Sequence, residues 1–421
     1  MSLLRIVLKN LKQRALASAL TSFSIALGVA VVVAILTLQA QSRSAFSQSA
    51  VGYDLVVGPR GSSLQLVLVT VFHLDQLQST IDYQVYKDLA HDKRVRAAAP
   101  VAVGDTFKGH RLVATTPALL TAFEVRPGVK FELAAGRIFN SSEELVDHLM
   151  KGGEHSHGHD GMKFEAVAGS AAARHAGLQV GATFSATHGV EEGKSHEELW
   201  TVTGVLKPTG SPMDRAIFIN LESFAAIADH AKAAAAEKGR SGRISAIVLG
   251  TRGGLAARDL RYDFQNRPDA MAVAPAEEIH TLFDLIGNVD KLLLAVSALV
   301  ILVAGVSILV SIYNSMSERK RPIAILRALG ARRTTILSII LMEATTLCLI
   351  GGLAGVAAGH GLAEAAGRVL GEQAGVSVTG WAFHPMEAAV IGGLMILGVL
   401  VGLLPALKAY RSDISRGLNP S

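Results

Sequence analysis

Four long apolar runs divide this chain. Residues 15–40 (ALASALTSFSIALGVAVVVAILTLQA) carry no charge, and as a helix rising about 1.5 Å per residue they exceed a hydrocarbon core of about 30 Å. Residues 292–313, expected as a span over 290–313, repeat the pattern, as do 336–359 and 388–407, the third run interrupted only by Glu343. These are expected to be transmembrane helices. The run 64–72 (LQLVLVTVF) is too short to span and rich in β-branched residues, so it suits a buried strand or a short core helix.

Between the first two runs the pattern changes. Residues 95–116 and 199–221 read as strand, turn, strand, punctuated by Gly and Pro. Residues 166–187 read as strand, a helix closed by Gly177, then strand, and 223–238 as an Ala-rich helix. Residues 41–289 are therefore expected to form an α+β domain with its own core. At its end, Ile279, Leu282, Phe283, Ile286 and Val289 recur at helical spacing and lead into the second span without a breaker. Two readings stay open there: a stalk helix carrying movement, or an amphipathic helix packed on the domain.

Composition agrees with a membrane chain. Half of the 421 residues are hydrophobic and mean hydropathy is positive. The first run is about twice as long as a signal-peptide core, so an uncleaved anchor is expected. The single cysteine, Cys348, lies in the third run, which excludes a disulfide within the chain.

Arg5, Lys9, Lys12 and Arg14 precede the first run, six basic residues and one acid fill 317–337, and Lys408, Arg411 and Arg416 follow the fourth run. Positive charge in short loops marks the cytoplasmic side. Segments 1–14, 314–335 and 408–421 are therefore expected inside, with 41–289 and the loop 360–387 outside. The net charge of +5 then reports topology, and without basic patches interleaved with aromatics no nucleic-acid partner is expected.

Within the basic loop (SERKRPIAILRALGARRTTIL, 317–337), Pro322 suits a first helical position and Gly330 a left-handed stop. A helix over 322–330 is too short to persist alone in water, so its apolar side, with Ile323, Ile325, Leu326 and Leu329, needs a covering surface. The segment resembles the cytoplasmic loop of MacB/FtsX-type ABC permeases, with pattern E-R-x-x-E-I-x-I-L-R-A-L-G-A. Glu318, Arg319, Ile323, Ile325, Leu326, Arg327, Ala328, Leu329, Gly330 and Ala331 fit. Pro322 departs from the usual acid. NLKQRALASALTSFSIALGVAVVVAIL, AVAGSAAARHAGLQVGATF, TVTGVLKPTG and LLPALKAYRSDISRGL extend the likeness over most of the chain.

The resemblance implies an α-helical membrane protein with four transmembrane helices and a large MacB-like α+β extracytoplasmic domain between the first two, sited in a bacterial inner membrane. It implies a non-catalytic permease subunit, working as a homodimer or with a sister subunit. The 322–330 helix would couple to a separate cytoplasmic ATPase holding ATP and Mg, with Glu318, Arg319, Arg321, Pro322, Ile325, Leu326, Arg327, Leu329 and Gly330 as the coupling residues. The nearest approach to a phosphate-binding loop, HGVEEGKS at 188–195, sets its glycines one residue too close and falls on the outer side. The alternative is an FtsX-like regulator driving an extracytoplasmic partner such as a cell-wall hydrolase, but the larger outer domain favours transport. An anchored enzyme has little support, since no nucleophile elbow or H-E-x-x-H pair stands out.

Two further clusters carry expectations. Glu343 is expected at an interhelical or dimer contact, and Gly351, Gly355 and Gly359, with Gly398 and Gly402, are expected to let helices approach closely. In KGGEHSHGHDG (151–161), His155, His157 and His159 alternate with small residues. Imidazoles so spaced suit zinc, copper or nickel in a soft loop, with a solvated insertion the equal alternative; the resemblance to permeases of this class with histidine-rich outer loops implies a link to zinc homeostasis and to an extracytoplasmic metal carrier.

Overall fold

The computed structural model describes residues 3–50, 52–74, 77, 79–126, 128–151, 163–188, 196–227, 242–318, 325, 330–374 and 379–411. The chain divides into two compact units, one of residues 1–41, 286–369 and 378–421, the other of 42–285 and 370–377.

The second unit is built on an eleven-stranded mixed sheet. From one edge its order is Met271–Val273, Leu55–Gly58, Ala246–Thr251, Val95–Phe107, His110–Thr115, Ile217–Asn220, Glu165–Ala168, Trp200–Leu206 and Leu133–Gly136. Two short strands, Thr187–His188 and Thr183–Phe184, attach to Val95–Phe107 and Trp200–Leu206. His110–Thr115 runs parallel to Ile217–Asn220, and Glu165–Ala168 parallel to Trp200–Leu206; the other pairings are antiparallel.

Both faces of this sheet are covered, and the strand sequences show why. Unbroken runs such as LVVG and IFIN, rather than alternating polar and apolar residues, supply apolar side chains to both sides. Leu55, Val57, Leu112, Ala114, Ile217, Ile219, Ile247 and Leu249 join one core, with Leu260 and Phe264 from helix Gly254–Gln265 and the fully buried Trp200. Val56, Val113, Phe218 and Val248 point the other way, towards Leu66 and Val67 of helix Ser63–Thr70 and towards Ile279. The run 64–72 is thus a short core helix, its start capped by Ser62 Oγ accepting from the Gln65 amide. Gly177 takes φ +72 after helix Ser170–Ala176, the expected left-handed stop. The segment 199–221 is not a hairpin, because Glu165–Ala168 lies between its two strands. Of the expected Ala-rich helix, only its first residues fall in the described Leu221–Ala226; 228–241 lie outside the described residues.

Several buried polar groups in this unit are paired. Glu165 accepts from both terminal nitrogens of Arg137, at 2.9 and 2.6 Å, and from the Asn140 amide at 2.8 Å. That guanidinium fork, foremost, holds the Glu165 carboxyl below its ordinary range. Trp200 donates its indole N–H to Ser223 Oγ at 3.1 Å. Burial, and next the Arg111 charge, press His73 down to about 4, and burial also lowers His110, whose Nδ1 sits 2.9 Å from the Arg215 carbonyl oxygen.

In the first unit, three helices are long and apolar enough to cross a membrane over Ala15–Ser47, Arg333–Val369 and Pro385–Leu403. A fourth apolar stretch, Ala298–Val310, lies inside helix Pro275–Glu318 and is shorter than a full span among the described residues. Four spans were expected; three are met by length and composition. The fourth segment still packs with them: Ile308 joins Ile25, Val29, Val33, Ile340, Ala344 and Leu394 in one buried cluster. Leu16, Leu20, Phe23, Leu299, Leu302, Leu353 and Leu400 are exposed, an apolar surface suited to lipid rather than water.

Helix Arg333–Ala374 continues well beyond 359, so the expected loop 360–387 is largely helical in its first half. Residues 362–370 (LAEAAGRVL) are mostly good helix formers and give the helix no reason to stop.

Two predictions follow from these cores. Replacing Gly355 by Leu collides with Val29 Cβ and the Ala26 carbonyl oxygen, 2.6 and 2.7 Å from where a Cβ would stand; it should lower stability by at least about 1–3 kcal/mol, read as a lower melting temperature in detergent. His73 titrates lower folded than unfolded, so below about pH 6.5 the unfolded chain takes up a proton that the fold refuses. Stability should be complete above that pH and fall by up to about 3 kcal/mol as pH drops towards 4. His73→Asn, which tolerates the φ of +55 found there, should flatten melts recorded across that window, leaving a residual slope from His110.

Candidate functional site

The basic loop joins two long helices. Helix Pro275–Glu318 is unbroken through the second apolar run and ends at Glu318, and helix Arg333–Ala374 begins fifteen residues later. Between them Ile325 is helical and 46% exposed. Gly330 has φ +94, a conformation strained for any residue with a Cβ, and nothing lies within 4 Å of where a Cβ would stand. Of the helix expected over 322–330, only Ile325 and Gly330 are among the described residues. Arg319, Arg321, Pro322, Leu326, Arg327 and Leu329 lie outside the described residues.

After Gly330 the exposed Arg332 and Arg333 open the next helix, with the Thr335 amide donating to the Arg332 carbonyl at 3.0 Å. Ile336, Ile339 and Ile340 then turn inward. The site therefore sits where a charged, exposed segment gives way within one helical turn to packed apolar side chains. Among its described residues it offers an exposed apolar side chain, Ile325, and two exposed cations, Arg332 and Arg333, resources suited to docking.

The intramembrane residues come together with the helices that carry this loop. Gly351, Gly355 and Gly359 face Ile25, Val29 and Val33 of helix Ala15–Ala50, whose side chains and backbone leave no room for a Cβ. Gly398 lies on Cys348 Sγ and Gly402 against the Ala344 Cβ. Glu343, one residue from Ala344, is 7% exposed.

One constellation has no counterpart among the sequence expectations. His360, 1% exposed, sets Nε2 3.0 Å from Glu387 Oε2 and Nδ1 2.6 Å from the Gly380 carbonyl oxygen. Trp381 stacks on its ring and Phe383 meets it edge-on. Glu387 Oε1 accepts from the His384 amide at the start of helix Pro385–Arg411. A signal existed, a histidine within an apolar helical run and an acid in the first turn after Pro385, but nothing in it pairs two residues so far apart.

His155, His157 and His159 lie outside the described residues, as does most of the 188–195 segment. Among the described residues no group of three or more His, Cys, Asp or Glu stands close enough to hold a metal.

Two family models match the chain. The MacB-like periplasmic core domain matches residues 18–266, more than half of it, and the FtsX-like permease C-terminal domain matches 294–414. A macrolide export ATP-binding/permease protein MacB from Rhodopirellula baltica is 36% identical over 127 residues, 30% of this chain and 18% of that protein. An uncharacterized ABC transporter permease, YknZ, from Bacillus subtilis is 31% identical over 164 residues, 38% of this chain and 39% of that one. The matched stretches thus span well under two thirds of these relatives' own lengths. The crystal structure of the periplasmic region of MacB from Actinobacillus actinomycetemcomitans aligns over 57% of this chain and 95% of its own, with TM-score 0.33 and 12% identity. With one model covering the strand-rich unit and the first apolar run, and the other covering the apolar helices that flank the basic loop, the chain belongs to the MacB/FtsX-type family of ABC transporter permeases.

Proposed function

We propose that this permease subunit transmits ATP-driven motion to its extracytoplasmic domain for export or extraction of a substrate, the ATP being hydrolysed by a separate cytoplasmic ATPase chain. The observation that carries the reading is the basic loop: an exposed helical Ile325 and a left-handed Gly330 inside the stretch 294–414 that matches the FtsX-like permease domain. A helix of two turns keeps its shape only against a surface, and the cytoplasmic surface that an ABC permease meets is its ATPase. Arg319, Arg321 and Arg327 set the segment's side of the membrane, while Ile325, Leu326 and Leu329 supply the apolar anchor. The unbroken helix Pro275–Glu318, which ends beside the loop, is the element through which movement would pass.

The exposed apolar faces of the spans are compatible with a second permease copy, and a homodimer forms part of the proposal. The relatives' names mention macrolide export, but nothing in this chain selects that cargo. Histidines at 155, 157 and 159 give the proposal its metal-linked branch, resting on their sequence spacing alone.

Ile325→Asp should weaken association with the partner ATPase by roughly thirtyfold, the size of a lost hot spot of about 2 kcal/mol. The melting temperature should stay unchanged, because the side chain is already exposed. Co-purification and ATPase stimulation in reconstituted vesicles measure it, and undiminished stimulation would end the coupling reading. Isothermal titration of zinc into the intact protein should give heat that disappears when His155, His157 and His159 are all changed to Ala. Equal, negligible heats in both would remove the metal branch and leave the permease reading standing.

A further inference from the structure

The helix Leu3–Gln13 stands outside everything described so far. It is strongly two-sided: Val7 and Leu11 are buried with Ile339 and Leu347 of helix Arg333–Ala374, and Leu3, Ile6 and Met342 border the contact. It breaks from the following helix at Arg14, where the Leu11 carbonyl accepts from both the Arg14 amide and Ser18 Oγ. The helix is therefore a separate element, fixed to the spans by one side.

That side covers only part of its apolar surface. At about 100° per residue from Leu3, Val7 and Leu11 fall near 40° and 80°, Leu4 and Leu8 near 100° and 140°, then Lys12, Arg5 and Lys9 near 180°, 200° and 240°. Leu4 is 49% and Leu8 50% exposed, although they directly continue the buried stripe. The next side chains round the helix are cations, all exposed. No acid occurs before Asp54, so nothing on this helix or its neighbours in sequence neutralises them. Apolar surface bordered by long basic side chains is the arrangement of a helix lying at a membrane interface, its leucines in the acyl boundary and its cations reaching the headgroups.

We propose that helix Leu3–Gln13 is a docking surface for anionic phospholipid headgroups, with Leu4 and Leu8 inserted and Arg5, Lys9 and Lys12 contacting the phosphates. Its buried side rests on Ile339 and Leu347, in the helix that leads out of the basic loop, so lipid charge acts on the element next to the ATPase-facing segment. The proposal rests on the membrane reading of the chain and stands whether or not Ile325 docks an ATPase.

The test uses the full chain in vesicles, with a fluorophore attached through L8C in a C348A background. Bromine-tailed phosphatidylglycerol or bromine-tailed phosphatidylcholine is diluted into unlabelled phosphatidylcholine, and the ratio of quenching gives the relative affinity for the anionic lipid. A preference is expected that falls about fivefold for each basic residue removed, in R5Q, K9Q and K12Q, and that weakens with salt. A charge-keeping variant, K9R with K12R, should retain it, which separates lost recognition from misfolding. Equal quenching by both lipids in the unaltered sequence would overturn headgroup recognition. No quenching by either would overturn the membrane contact itself and leave the surface to a protein partner.

Discussion

Close approach of two helices is the contact on which the membrane unit depends. Gly351, Gly355 and Gly359 recur every fourth residue, so they form one stripe along helix Arg333–Ala374, and each receives a β-branched side chain of helix Ala15–Ala50: Ile25, Val29, Val33. In lipid there is no hydrophobic gain from bringing apolar helices together, so association rests on dispersion at short range and on shape. A missing Cβ every turn makes that shape. Gly398 and Gly402 of helix Pro385–Arg411 repeat the device against Cys348 and Ala344, which continue the same stripe one and two turns earlier, so Arg333–Ala374 meets two neighbouring helices through contacts of this kind.

The strand-rich unit solves a different problem by different means. In water a sheet with one wet face tolerates alternation, but here both faces are dry, and the central strands have had to become apolar throughout. That leaves polar chemistry to the sheet's ends and crossovers, where Glu165 is gripped by Arg137 and the Trp200 indole finds Ser223. Such pairs contribute little net stability and much specificity: an unpaired buried carboxylate or indole N–H would cost more than the pair yields.

How much of this was legible beforehand depended on whether the determinant was local. Gly177 and Gly330 were readable as stops because a left-handed φ is a property of one residue. Strand units at 95–116 and the apolar runs were readable from periodicity. The order of strands was not, since the parallel placement of Glu165–Ala168 beside Trp200–Leu206 is decided by packing across the sheet. The run 64–72 was ambiguous between strand and helix because a mainly apolar stretch of nine residues satisfies either; the cap at Ser62 decided it. The helix end expected near 359 was misplaced because hydropathy falls there while helix propensity does not. Of the coupling residues the sequence motif gave the names, and the fold supplied the exposure of Ile325 and the left-handed φ of Gly330.

The enclosed imidazole of His360 has an arithmetic of its own. A peptide carbonyl has only lone pairs to offer, so the hydrogen between His360 and Gly380 belongs to the ring. The other ring nitrogen lies 3.0 Å from Glu387 Oε2, and Trp381 and Phe383 lie against the ring itself. One side chain of helix Arg333–Ala374 is thereby tied at two atoms to the start of helix Pro385–Arg411 and the turn before it, and whatever draws the two helices apart at this point must break both ties at once.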